Sequence, residues 1–138
     1  MTSRTELASE LPLISGHRRQ LQQVISNLVQ NAIEAMDTST DRDRVLRLET
    51  GLHNREAIIV AVEDSGPGFD PKQLSRIFDA FFTTKSHGIG LGLAICRMIV
   101  ERHGGQLTAT SDGNNGARFQ FVLPTQFSTD PKHATLTE

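Results

Sequence analysis

The stretch QLQQVISNLVQNAIEAM, Gln20–Met36, repeats apolar residues at helical spacing. Leu21, Ile25, Leu28, Ala32 and Met36 spread over one side of a helical wheel, which predicts a packed helix from about Arg18 to Met36. Two asparagines, Asn27 and Asn31, stand one turn apart in the same stretch. Asparagine is a mediocre helix former, because its amide competes for nearby backbone groups. On the wheel both fall within about 20° of Gln20, and Glu34 within about 40°. The column is a polar stripe beside the core face. Two readings are open: a solvated face, or amide oxygens that ligate a cation such as Mg²⁺ without adding charge beside an anionic substrate.

Outward from this helix the chain alternates strand and helix signals. Residues 1–10 are polar and are expected to be flexible, and Leu11–Ile14 suits a short edge strand, where its proline is tolerated. Val45–His53 and Ala57–Asp64 read as strands joined by a turn at His53–Glu56. Ser65–Gly68 is a turn, and Pro71–Ile77 a short helix with Asp70 as its N-cap. Phe78–Gly92 is irregular, and Leu93–His103 is a helix ended by Gly104-Gly105. Gln106–Ser111 and Ala117–Leu123 read as a second strand pair. A polar tail covers 125–138, which leaves 11–124 as the domain. The two hairpins favour an α+β fold, a two-layer sandwich with a mixed, mostly antiparallel sheet covered on one face by about three helices.

The chain has 138 residues, 37% hydrophobic and 22% charged, enough for one domain with a real core. Its formal net charge of −2 and the absence of a basic block point away from nucleic acid and anionic membranes. No run approaches the ~20 apolar residues that span a bilayer, and a cytoplasmic location is expected, without bearing on a longer parent protein. A single cysteine, Cys96, excludes an internal disulfide and reads as a buried thiol.

Three further stretches carry chemistry. EDSGPGF, Glu63–Phe69, follows the second strand, and Asp64 shares a face with Ile58, Val60 and Val62. Asp64 is either a cap for its own turn or an acceptor for an exocyclic amine such as that of adenine, with Gly66 and Gly68 admitting the ring. SHGIGLGL, Ser86–Leu93, leads into a helix. It is either a hinge or a source of free amides for phosphates. It lacks the Lys-Ser/Thr of a P-loop. IFDAFFTTK, Ile77–Lys85, holds three of the seven phenylalanines and places Lys85 beside the glycines.

In this order the four stretches resemble the ATP-binding catalytic domain of sensor histidine kinases, in the superfamily of gyrase, Hsp90, MutL and histidine-kinase ATPases. QLQQVISNLVQNAIEAM resembles the N box, DSGPGF the first glycine box, IFDAFFTTK the phenylalanine box, and GIGLGLAI the second glycine box. NGARFQFVLP, Asn115–Pro124, is similar to the closing glycine segment and last strand. The resemblance spans about residues 12–124 and implies the Bergerat fold, with ATP and Mg²⁺ as ligands.

It implies that Asn31 is the Mg²⁺ ligand and that Asn27 lines the phosphate site. Position 27 carries a water-activating glutamate in the hydrolytic relatives. It implies that Asp64 accepts from the adenine amine, with Gly66, Gly68 and Phe69 in the base-binding turn. Gly88, Gly90, Leu91 and Gly92 would form a phosphate-side lid, and Lys85 would reach the terminal phosphate. Ala117 stands where a threonine is frequent, so a hydroxyl contact there is lost. Only Ser86 and His87 separate Lys85 from Gly88, a short lid similar to that of oxygen- and nitrogen-sensing kinases. None of His17, His53, His87, His103 and His133 stands in the acceptor context of the family. The implied partner is therefore a histidine-bearing dimerisation domain outside this chain, with a response regulator downstream. An ATPase clamp and an anti-sigma-like nucleotide-binding module are the rival classes.

Overall fold

The computed structural model describes residues 2–8, 16–37, 43–80, 92–111, 113 and 115–125. Five strands form one sheet in the order β1-β2-β3-β5-β4, with β1 Thr2–Glu6, β2 Val45–His53, β3 Ala57–Asp64, β4 Gln106–Ser111 and β5 Ala117–Pro124. Helices α1, Arg18–Asp37, and α2, Gly92–Arg102, cover one face, and a 3₁₀ helix at Pro71–Gln73 follows β3. Among the described strands only β1 runs parallel to its neighbour, and the other pairs are antiparallel. The mixed, mostly antiparallel two-layer sandwich expected from the sequence is the fold observed.

The hairpin β2–β3 turns through Asn54 and Arg55, both at positive φ, the pairing whose twist matches two antiparallel strands. Its register sets Leu46 against Asp64 and Leu48 against Val62, so apolar rows of both strands face the helices. On the helix side Val24, Leu28, Ala32 and Met36 recur at spacing four and are buried. They join Cys96, Ile99 and Val100 of α2 and Phe119, Phe121 and Leu123 of β5 in one core. Cys96 is fully buried, as expected of a structural thiol.

Residues 1–10, expected to be flexible, require a correction: Thr2–Glu6 is an edge strand, in register with Val45–Glu49. Its composition hid it because β1 supplies backbone pairing rather than core side chains. Ion pairs on the uncovered face add to this, with Glu6 2.8 Å from Arg47, which also meets Glu49 at 3.2 Å and Glu63 at 3.6 Å. Exposed pairs of this kind contribute little individually. The Pro71–Ile77 helix forms only one 3₁₀ turn, with the Asp70 carboxylate accepting from the Lys72 N–H at 2.9 Å. The proposed Leu11–Ile14 strand and the 126–138 tail lie outside the described residues.

Phe121→Ala should destabilise the domain by about 3–5 kcal/mol, because Phe121 is 1% exposed in the centre of the core. Met98→Ala, on the solvent side of α2 at 50% exposure, should stay within about 0.5 kcal/mol. Urea unfolding midpoints of the two variants check the contrast.

Candidate functional site

Strand β3 ends on Asp64, which is 5% exposed. Its Oδ1 accepts the Gly66 N–H at 2.8 Å, and the Ala117 backbone N–H also bonds the carboxylate. Burial pushes the Asp64 carboxyl above the usual aspartate range, and the two N–H donors only partly oppose this. Two donors leave acceptor capacity on a carboxylate, which offers about four lone-pair sites.

The turn after Asp64 closes directly on α1. A Cβ at Gly66 would stand 3.1 Å from the Ala35 carbonyl oxygen and 3.1 Å from Asp64 Oδ1. Ala35 is one turn beyond Asn31 on the same side of α1, so the asparagine column runs up to the Asp64 turn. Gly68, at φ +76°, would put a Cβ 2.6 Å from the Gly116 carbonyl oxygen. Gly68 is therefore required by its positive φ and by packing against the β4–β5 end, while Gly66 sits in tight contact with α1.

Asn27 and Asn31 are half-buried beside the core row. The Asn27 side chain hydrogen-bonds the Cys96 thiol, which also donates to the Val24 carbonyl at 3.8 Å. Burial raises the thiol's pKa, and the bond from Asn27 opposes the rise. Helices α1 and α2 run antiparallel, since Val24 meets Cys96 and His17 meets His103. Gly92, the first residue of α2, consequently points its helix terminus toward the Asn27–Asn31 half of α1. Phe69 packs on Phe119 with ring centroids 6.2 Å apart, and Phe78 meets the same ring edge-on at 6.2 Å. The Arg97 guanidinium lies 5.8 Å over Phe78. Ala117, paired with Asp64 in the β3–β5 ladder, is buried.

Thus Asp64, Gly66, Gly68, Phe69 and Ala117 share one corner, which meets α1 at Ala35, one turn beyond Asn31, while Asn27 faces Cys96 of α2. Lys85, Gly88, Gly90 and Leu91 lie outside the described residues. Two supporting side chains escaped the sequence reading. The Ser65 hydroxyl donates to the Asp43 carbonyl and accepts the Val45 N–H, both at 2.7 Å. The Ser111 hydroxyl donates to the Gly116 carbonyl at 2.8 Å and accepts the Phe69 N–H at 3.0 Å. A serine at the end of a strand, beside a glycine turn, was the available signal for both.

Residues 16–126 match the model of the histidine kinase-, DNA gyrase B-, and HSP90-like ATPase family. The sensor protein TdiS of Thauera aromatica is 37% identical over 90% of this chain and 23% of its own length. The chain spans a quarter or less of the curated relatives it matches. Among solved structures, the catalytic domain of histidine kinase ThkA superposes with a TM-score of 0.75 at 35% identity, covering 90% of this chain and 78% of that one. ThkA in complex with the response regulator TrrA matches with a TM-score of 0.72 at 32% identity, over 90% of this chain and 34% of that one. Full-length ShkA in complex with AMPPNP matches at 0.76 and 28% identity, over 89% of this chain and 25% of that one.

A raised carboxyl pKa in the fold means that the folded chain holds more protons than the unfolded one above about pH 4. The stability contribution of Asp64 is therefore full below that pH and is lost as pH rises through the folded pKa. Asp64→Asn should flatten this fall. Urea midpoints measured from pH 3.5 to pH 7 should converge toward the acid end, with the variant losing less stability than wild type as pH rises.

Proposed function

The chain belongs to the histidine kinase-, DNA gyrase B-, and HSP90-like ATPase family, as a catalytic domain of the sensor histidine kinase kind, and from that premise we propose that it binds Mg·ATP and presents the γ-phosphoryl group to a histidine on a dimerisation domain outside this chain. A response regulator would be the next acceptor. The observation that supports this most is the buried Asp64 carboxylate, with acceptor capacity left over, one short turn away from the helix of Asn31. An acceptor in that setting suits the exocyclic amine of adenine.

The residues present fit the ligand. Asp64 would accept from adenine, with Gly66, Gly68, Phe69 and Ala117 around the base. Asn31 would hold Mg²⁺ through its side-chain oxygen. Mg²⁺ held with a nucleotide typically takes one or two protein ligands, with phosphate oxygens and water completing its octahedron. Mg²⁺ neutralises charge that develops on the transferred phosphoryl group. Asn27 would line the phosphates while bonded to Cys96. Lys85 would act on the terminal phosphate as a point charge, and the amides of Gly88, Gly90, Leu91 and Gly92 would close over it. This arrangement positions a phosphoryl group and supplies no nucleophile of its own. The amide at position 27 is a poor general base, which disfavours a hydrolytic clamp. A cytoplasmic location fits, and no helix among the described residues is long and apolar enough to cross a membrane.

Asp64→Asn should weaken ATP about tenfold or more, since a charge-assisted hydrogen bond contributes roughly 1.5–3 kcal/mol. An unchanged calorimetric Kd would exclude the adenine role.

Titrations with ATP and ADP, each with Mg²⁺ and with chelator, separate the two phosphate-end residues. Asn31→Ala should shrink the gain in affinity that Mg²⁺ confers. Lys85→Ala should weaken ATP more than ADP and leave the Mg²⁺ dependence largely in place. Equal weakening of ATP and ADP would make Lys85 a general surface charge.

A further inference from the structure

Two histidines that no nucleotide role absorbs are brought together by the fold. His103, the residue after α2, is 3% exposed. Its Nε2 accepts the His17 backbone N–H at 2.9 Å, across 86 positions of sequence. Its Nδ1 lies 2.8 Å from the Ile99 carbonyl oxygen. A nitrogen that accepts from an N–H must carry its lone pair, so the proton sits on Nδ1, which donates to Ile99. The His17 ring meets the His103 ring edge-on, with centroids 6.0 Å apart. Gly16 closes the remaining side, where a Cβ would stand 2.5 Å from His103 Cδ2 and 2.9 Å from Nε2. The imidazole is bonded through both nitrogens and cannot swing away from that Cβ without losing one of them.

This bond is made at the entry to α1, where backbone N–H groups have no partner within the helix. It lies at the opposite end of the helix pair from the asparagines. Elsewhere α1 and α2 share the apolar core through Val24, Leu28, Cys96, Ile99 and Val100. The hydrophobic driving force is non-directional, and interdigitation of the apolar side chains narrows the axial register, to which a directional bond adds a fixed point. Directional bonds between the two helices among the described residues include the His17–His103 bond and the weaker thiol contacts of Cys96 with Val24 and Asn27.

We propose that His103 is a positioning residue, which fixes the axial register of α1 against α2 and thereby the spacing between Asn31 and the α2 N-terminus at Gly92. The proposal deepens the nucleotide-binding reading and rests on it for its effect on affinity.

The test uses His103→Leu, which removes the acceptor, His103→Gln, whose amide oxygen can accept the His17 N–H, and Gly16→Ala, which displaces the ring without altering it. His103→Leu should weaken Mg·ATP by about tenfold, the reduction expected when the register suited to the phosphates is held by only about a tenth of the molecules. In the nucleotide-free protein it should also shift the Asn31 side-chain and Gly92 backbone amide resonances. His103→Gln should restore affinity to within about threefold and return both resonances toward wild type. Gly16→Ala should move both readouts in the direction of His103→Leu, and it carries the comparison if His103→Leu does not fold. A lower melting temperature with unchanged affinity and unchanged Asn31 and Gly92 resonances would overturn the proposal, leaving His103 as an anchor for stability alone. If wild type itself does not bind ATP, the nucleotide reading fails, and the resonances of the nucleotide-free protein still decide the register.

Discussion

A carboxylate buried at the end of an apolar strand imposes conditions on everything around it. Asp64 is out of water, so its oxygens must be met by donors that the chain itself supplies. The Gly66 N–H turns back to meet Oδ1, and the Ala117 N–H reaches the carboxylate from β5. The first requirement bends the chain sharply after β3 and brings the turn against Ala35 of α1. The second ties the start of β5 to the end of β3. Ser65 and Ser111 then hold the two flanks of that bend, one to the approach of β2 and the other to Phe69 and Gly116. The aromatic cluster of Phe69, Phe119 and Phe78 sits against the same corner. Helix, turn and last strand therefore meet at Asp64 because an isolated charge there would be too costly.

Much of this is legible in the amino-acid sequence alone. Both hairpins, the extent of α1 and the facing of Asp64 with Val60 and Val62 follow from periodicity, because one face of each element is buried and slippage would turn its apolar row to water. The asparagine motif could be found because two amides interrupt an otherwise ordinary helical pattern, and the Asp64 motif because glycines and a carboxylate stand together at the end of a strand. What escaped detection shares a different physics. The strand Thr2–Glu6 contributes backbone bonds and surface ion pairs, which leave no hydrophobic pattern. Ser65 and Ser111 act through single hydroxyls, and any turn holds such residues. The Asn27–Cys96 and His17–His103 contacts join positions far apart in sequence, and periodicity carries no information about such pairs. The sequence does not show that a Cβ at 66 or 68 would also meet Ala35, Ser111 and Gly116, because those neighbours come from other parts of the chain.

The strand order also governs when the domain can exist. Strand β5 is the last of the described strands in the chain, yet it lies inside the sheet, between β3 and β4. Until it arrives, β3 and β4 have no partner across that gap, and Phe119, Phe121 and Leu123 are missing from the core. The Asp64 carboxylate would also lack its Ala117 donor. A nascent chain that has emerged only as far as β4 thus holds strand edges with unpaired backbone N–H and C=O groups, which invite pairing with other chains. Closure of the sheet, burial of the core and completion of the Asp64 corner all wait for one late, long-range strand insertion. Such a topology folds slowly compared with one built from local contacts.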